Sequence, residues 1–376
     1  MDKLLPYGVV GTLEFIYTKD INAVYIHDAN LAPAKASLVG DGRPLFGAVP
    51  SNANTDRAIL SNDRRVNGDI GQALVIGNTK KGYQWSVTAQ LSKTFDKNFS
   101  LTAAYTYTDS RELNPQSGST AGSIFGSQVN VLGGNNPGLG YAGALTPHRV
   151  IAYGSYKKEY LNNFATTIGA SYEGRTGTNF SYTVNGDVNS DGNSTNDLMY
   201  IPRTRDEIVL TTASATDTRT IDQIWSQLDS YISQDKYLSK HRGEFAQRNA
   251  AYQPWVSRLN LNLLQDFNFD VKGHRHTIQL SAQIINFMNF LNSSWGLTRF
   301  ATRTNLVRFV GYEQPHVAGT FSNTINPATG QAWAPTTGKP VYTFDLNGTS
   351  PLTSSFTPDA TVNGRWQLQL GVRYIF

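Results

Sequence analysis

Cysteine is missing from all 376 residues. That excludes a disulfide framework and any thiolate metal site. Charge is scarce as well: 16 % of residues are Asp, Glu, Lys or Arg, against about 25 % in an average soluble domain. The net charge of +4 is small for this length and its Lys and Arg residues are scattered, so there is no footprint for nucleic acid. No run of 18 apolar residues occurs, which excludes a spanning helix. Neither G-x-S-x-G, H-E-x-x-H nor a Walker motif is present, and no nucleophile–base pair stands at a recognisable spacing. Nothing therefore supports an enzyme.

Asn, Ser, Thr, Gly and Tyr fill the gap, and the apolar residues alternate with them. The last fourteen residues, 363–376, carry the sharpest pattern. Trp366, Leu368, Leu370, Val372, Tyr374 and Phe376 fall on one face of an extended strand, while Arg365, Gln367, Gln369, Gly371 and Arg373 fall on the other. Only Ile375 departs from the rule. Side chains in a strand alternate with a period of two. One greasy face, one polar face and aromatics towards the end describe a strand between lipid and a wet lumen. Such a strand rises roughly 46 Å. Tilted by about 45° it spans an apolar band about 25 Å tall.

The alternation recurs. Tyr83, Trp85, Val87, Ala89 and Leu91 oppose Gln84, Ser86, Thr88, Gln90 and Ser92. After a turn at Asp96-Lys97-Asn98, Phe99, Leu101, Ala103, Tyr105 and Tyr107 oppose their polar neighbours. Further hairpins are expected from 148–157 with 164–173, 256–267 with 276–287, and 9–18 with 21–28. Short connections fall near Lys19, Lys97, Leu161 and Val271, and long ones cover about 29–71, 110–146, 175–252 and 289–362. Short turns on one side and long loops on the other are the habit of outer-membrane barrels. A soluble β-sandwich also alternates, but strand length, loop asymmetry and the aromatic end argue against it. The expected fold is all-β: an antiparallel transmembrane β-barrel with long extracellular loops. About nine spanning strands are present. A closed barrel has an even number, and a plugged one about 22. The opening M-D-K-L-L-P-Y-G is not a secretory signal, which an outer-membrane protein needs. The chain is therefore expected to be the C-terminal part of a longer protein whose signal, plug and first strands precede it.

Within the loop at 175–252, the run 187–197 reads D-V-N-S-D-G-N-S-T-N-D. Oxygen side chains at alternate positions converge on a hard cation, and glycine permits the sharp turn. Asp187, Asn189 and Asp191 are the strong calcium-ligand candidates. Asn193 would offer its carbonyl, Thr195 a direct or water-bridged contact, and Asp197 closes the loop. The match to an EF-hand is imperfect, because position 12 is Leu198 and the acid sits one residue early. The competing reading is a polar turn rich in Asx residues.

Three further features stand out. Ile221, Ile224, Trp225, Leu228, Tyr231 and Ile232 sit at helical spacing, with Thr220 and Gln223 placed for a capping box. That helix either docks a partner or packs on the barrel rim, and packing is favoured. Residues 286–292, N-F-M-N-F-L-N, suit a sugar or peptide, though interface anchoring and turn formation weigh more. His274 and His276 flank Arg275 in a turn; a metal pair is the alternative to solvated turn histidines.

Five segments then carry a resemblance: G-N-T-K-K-G-Y-Q-W-S-V-T-A-Q-L-S-K-T-F (77–95), T-P-H-R-V (146–150), D-V-N-S-D-G-N-S-T-N-D-L-M-Y-I-P (187–202), Q-D-K-Y-L-S-K-H-R-G-E-F-A-Q-R-N (234–249) and R-W-Q-L-Q-L-G-V-R-Y-I-F (365–376). In this order the chain resembles the C-terminal barrel portion of TonB-dependent outer-membrane receptors of Bacteroidetes, closest to the Oar-like subgroup. The resemblance implies a 22-stranded barrel closed by an N-terminal plug, with a large solute bound from outside and TonB pulling on the plug. It implies outer-membrane lipid, the TonB complex and, in glycan-importing relatives, a surface lipoprotein as partners. It also implies that the terminal strand, with Trp366, Leu368, Leu370, Val372, Tyr374 and Phe376, is the signal read by the barrel-assembly machinery. Plug and TonB box are absent from these residues. A non-transporting surface barrel (an adhesin or structural anchor) and a passive porin are the rival readings. Siderophore, oligosaccharide, peptide and cobalamin all stay open as the solute.

Overall fold

The computed structural model describes residues 1–38, 40–47, 64–95, 98–115, 118–214, 216–312, 325–326, 331–332 and 339–376. Two residues of the expected turn, Asp96 and Lys97, lie outside them, as do parts of the loops at 29–71, 110–146, 175–252 and 289–362. The protein is all-β in class. Nine strands follow one another along one antiparallel sheet: β1 (Asp2–Leu5), β2 (Val9–Lys19), β3 (Tyr83–Phe95), β4 (Phe99–Glu112), β5 (His148–Tyr160), β6 (Phe164–Arg175), β7 (Val256–Val271), β8 (His274–Ile285) and β9 (Gln367–Ile375). A two-residue strand, Gly140–Tyr141, pairs beside β4. Among the described residues β1 and β9 are the two edges, and no ladder joins them.

The hairpin expected from 9–18 with 21–28 does not form. β2 pairs with β3, from Val10 opposite Ser92 to Lys19 opposite Tyr83. Ala23–Asp28 instead pairs with Leu74–Thr79 in a separate ribbon. Lys19-Asp20 is not a dipeptide that favours the positive φ of a two-residue hairpin turn, so the chain runs on, and the Asp20 N–H bonds the Gly82 carbonyl. The short connection is Pro6–Gly8, between β1 and β2, and the long one runs over 20–82. The count stays at nine, with Asp2–Leu5 in place of 21–28. β8 also ends earlier than expected, because Asn286 turns left-handed (φ 55°) and starts a short helix, Phe287–Leu291.

Register places the alternation on two faces. One face of the sheet stacks Leu13, Ala89, Tyr105 and Val150 side by side, then Leu101, Gly154, Ala170, Leu261, Ile284 and Leu368. Its large aliphatics point outward: Leu370 and Val372 are 72 % and 77 % exposed. Aromatic rings bound this band at both ends. Towards the short turns, Tyr160 stacks on Phe164 at 5.9 Å, Phe164 meets Phe267 at 5.6 Å, and Phe269, His276 and Tyr374 continue the row. Towards the long loops, Phe15, Trp85, Tyr107 and His148 form another row, with centroids 5.1–6.4 Å apart. Phe99 and Tyr107 in β4, like Phe164 and Tyr172 in β6, stand eight residues apart, roughly 27 Å along the strand.

The opposite face is polar and internally bonded. Thr88 meets Thr106 at 2.9 Å, Ser92 meets Thr102 at 2.9 Å, Gln279 donates to Asp266 at 2.8 Å, and Arg149 pairs with Glu173 at 2.8 Å. Cross-strand pairs of this kind each contribute roughly 0.2–1 kcal/mol.

The buried core does not lie on the sheet. It sits among the long connections, where Tyr182, Val184, Ile201, Leu210, Ile224, Leu228 and Phe344 pack together. Thr183–Asn185 runs parallel to Asn305–Tyr312, and Val209–Leu210 runs parallel to Pro340–Thr343. The last two long connections are therefore woven into one body, and Leu38 and Leu45 join its core from the first.

Candidate functional site

The run 187–197 folds as a tight loop of that body. The Gly186 N–H closes it on the Ser194 carbonyl at 2.8 Å. Asp187 accepts the N–H groups of Asp191 (3.0 Å) and Gly192 (2.8 Å). Asn189 also accepts from the Asp191 N–H at 3.0 Å, and Asp191 accepts from the Asn193 N–H at 3.0 Å. The Asn196 amide donates to the second Asp191 oxygen at 3.0 Å, leaving its own carbonyl oxygen buried without a hydrogen bond. Gly192 has φ +96°, a conformation open to glycine, and the Arg64 guanidinium lies where a Cβ would stand.

The structure thus brings Asp187, Asn189 and Asp191 together, with Asn193 next in the arc. Thr195 is exposed and its hydroxyl bonds the Asn193 side chain at 3.1 Å. Asp197 turns away: it accepts from the Val188 N–H at 2.8 Å and from Arg43 at 3.0 Å. Arg43 also pairs with Asp41 at 2.7 Å and bonds the Leu198 carbonyl at 3.1 Å. Both Arg43 and Asp197 have fully buried side chains.

Burial decides the electrostatics. It pushes the Asp187 carboxyl well up, and Asp191 and Asp197 push it further. Burial raises Asp191 too, against its hydrogen bonds to Asn196 and backbone N–H groups. Asp197 is driven by burial up to about 7, although Arg43 pulls it down. Burial opposes the Arg43 charge, but Asp197 and Asp41 outweigh it and keep the guanidinium protonated. Among the described residues, four carboxylates (Asp41, Asp187, Asp191, Asp197) face two guanidinium groups, Arg43 and Arg64. No set of three or more His, Asp or Glu side chains among the described residues is arranged to grip a metal ion by itself. A cation here would rely on amide and carbonyl oxygens as well.

The other features singled out in the sequence fall as follows. The helix Ile221–Gln234 carries both bonds of its capping box, Thr220 Oγ1 accepting from the Gln223 N–H at 3.2 Å and Gln223 Oε1 accepting from the Thr220 N–H at 2.8 Å. Its Ile224, Leu228, Tyr231 and Ile232 are buried in the loop core rather than on the sheet's rim. Asn289 donates to the Ser293 and Trp295 carbonyls at 3.0 Å each and accepts from the Trp366 N–H at 3.2 Å. It fixes a turn, and Phe290 packs edge-on against Trp366 at 5.0 Å. His276 bonds the Tyr374 hydroxyl at 2.7 Å within the aromatic row.

A pocket of about 700 Å³ lies where the loop body meets the apolar face of the sheet. Tyr107 and His148 of the upper aromatic row form its floor, and Tyr141, Tyr252 and Trp255 its walls. Trp255 lies against Gly174, where any Cβ would strike its ring. Tyr141 is held by the Arg111 guanidinium, 3.3 Å above its ring. Lys236, Lys240 and His241 line the same opening. Sequence reasoning missed both Arg43 and this pocket. Arg43 stands 154 residues from Asp197, a separation without local signature. The interleaved Lys236, Tyr237, Lys240 and His241 were the available signal for the pocket.

Compared with the models of protein families, with curated proteins and with solved structures, the chain matches none.

Proposed function

We propose that this chain is part of an outer-membrane β-barrel that imports a large solute in a TonB-dependent manner, with the loop body outside the cell and the short turns in the periplasm. One observation carries the reading: an outward apolar face on nine antiparallel strands, eight of them nine or more residues long, edged by aromatic rows, with every long connection at one end. An aliphatic surface of this extent calls for hydrocarbon as its solvent. The two edges leave room for further strands of a barrel of about 22. The folded loop body favours a receptor over a plain pore. Deleting the gene is expected to abolish growth on one defined nutrient source, and removing TonB to abolish it equally. Growth unchanged on every source, or uptake that survives loss of TonB, would point to an adhesin, an anchor or a porin.

The loop at 187–197 supports a calcium reading through its gathered oxygens: the Asp187 and Asn189 side chains converge on one N–H, and the Asn196 carbonyl oxygen is buried without a hydrogen bond among the described residues. Asp187, Asn189 and Asp191 would hold the ion, with Asn193 through its carbonyl. The ion would supply countercharge and lock the loop. The three carboxyls have folded-state pKa values above their ordinary 3.8. Their stabilising contribution is complete below 3.8 and is lost as pH rises through the folded values, about 7 for Asp197. Without divalent ions, the loop body is expected to become more protease-sensitive from about pH 4 to about pH 7. Millimolar calcium, the range of extracellular sites at about 10⁻⁴–10⁻³ M, is expected to remove that trend. In Asp187→Asn/Asp191→Asn calcium is expected to change nothing. Calorimetry that finds no uptake by the intact protein defeats the calcium reading.

A further inference from the structure

We propose that the pocket between the loop body and the sheet's apolar face binds the anionic, phosphate-bearing headgroup of an outer-leaflet amphiphile. This site rests on the outer-membrane reading, because the pocket's floor belongs to the aromatic row that would mark the outer interface.

The argument starts from register. Tyr107, His148 and Thr176 continue the apolar side of β4, β5 and β6, and the sheet's contribution to the pocket comes from that side apart from Thr108. Tyr107 meets His148 at 5.1 Å, and that ring pair closes the floor. An apolar part of an occupant would meet the same side of the sheet as the aliphatic band. Above the rings, the exposed Lys236 and Lys240 line the opening. The two acids of the pocket lining, Asp235 and Asp109, are already engaged. Asp235 accepts from the Tyr182 hydroxyl at 2.7 Å and from the Tyr237 and Leu238 N–H groups at 2.9 and 2.8 Å. Asp109 pairs with Arg111 at 3.4 Å. Among the described residues no carboxylate pairs with either ammonium group, which leaves both open to an external anion. The Tyr252 hydroxyl and Gln253 Oε1, on lining residues, also lack a hydrogen-bond partner. Rings below, cations above and an apolar floor match a lipid whose headgroup carries phosphate. The aromatic walls are oriented before any occupant arrives: Trp255 Nε1 donates to the Ser257 hydroxyl at 3.0 Å and the Arg111 guanidinium sits 3.3 Å above the Tyr141 ring.

The test uses the intact protein in phosphatidylcholine vesicles with a minor share of phosphatidylglycerol. Flotation first shows whether the protein enters the bilayer. Failure to float would overturn the outer-membrane reading and this site with it. In floated protein, quenching by brominated lipids reads the preference for phosphatidylglycerol. Lys236→Gln and Lys240→Gln are each expected to reduce that preference about fivefold. Trp255→Phe is expected to remove the quenching signal specific to the site. Acetylation mapping needs no variant: phosphatidylglycerol should protect Lys236 and Lys240 but not the exposed Lys80 and Lys81. Equal preference in the lysine variants, or equal acetylation of all four lysines, overturns the site. Loss of the preference on adding inorganic phosphate assigns the pocket to a soluble anion and overturns the lipid.

Discussion

Leu280→Arg is expected to cost the protein about 2–4 kcal/mol in a bilayer, while Gln279→Arg, one residue earlier, costs far less. The two positions share a strand and differ in face. Leu280 stands opposite Gln265 and Val372 on the outward face, midway along β8. It is 43 % exposed although nothing polar requires it there. With hydrocarbon against it, an arginine must either lose its hydration or stretch towards an interface. Gln279 faces the other way and donates to Asp266 at 2.8 Å. An arginine there meets a carboxylate in a wet setting, and the nearby Arg373 opposes it only weakly. Reversible unfolding from liposomes measures both. Equal losses would mean that the two faces share one solvent, and the barrel reading would fail.

Arg43→Met is expected to destabilise the loop body by about 3–5 kcal/mol, because it strands buried carboxylates without their cation. Arg43 and Asp197 have no side-chain exposure, and the guanidinium bridges Asp41, Asp197 and the Leu198 carbonyl. Adding Asp197→Asn removes one of the stranded charges while keeping an acceptor for the Val188 N–H. The double variant is expected to recover part of the loss. Limited proteolysis in the long connections reads the effect, and the nine-stranded sheet is expected to keep its spectrum. A double variant as weak as the sum of the two singles would show that the pair is not coupled.

How much of this was legible follows from range. The long strands were readable because period-two alternation is a local property, and in Gln367–Ile375 the residues Leu368, Leu370, Val372 and Tyr374 stand opposite Ile284, Ala282, Leu280 and Ile278. Which strand pairs with which was readable only where a tight turn joins them. Between Thr18 and Ile21 the alternation continued across a segment that does not reverse, so the partner of β2 was misassigned to 21–28. The loop core was invisible for another reason. Its strands are two to eight residues long, and Thr183 finds Asn305 across 122 residues. No window of sequence holds both halves of such a pair. The oxygen-rich run at 187–197 announced itself by composition. The turning of Asp197 towards Arg43 depends on a residue in another connection.

The parallel pairing of Thr183–Asn185 with Asn305–Tyr312, and of Val209–Leu210 with Pro340–Thr343, sets an order of assembly. The hairpins β3–β4, β5–β6 and β7–β8 can each close as soon as their own residues are delivered. The body above them has to wait for Phe344, a fully buried member of its core. A ribosome or translocase releasing the chain from its N-terminus would therefore deliver these three hairpins before the last core residue of the body and, of the nine strands, only β9 after it. A chain cut after Ile285 would keep these three hairpins and lose both partners of the parallel pairs, Asn305–Tyr312 and Pro340–Thr343.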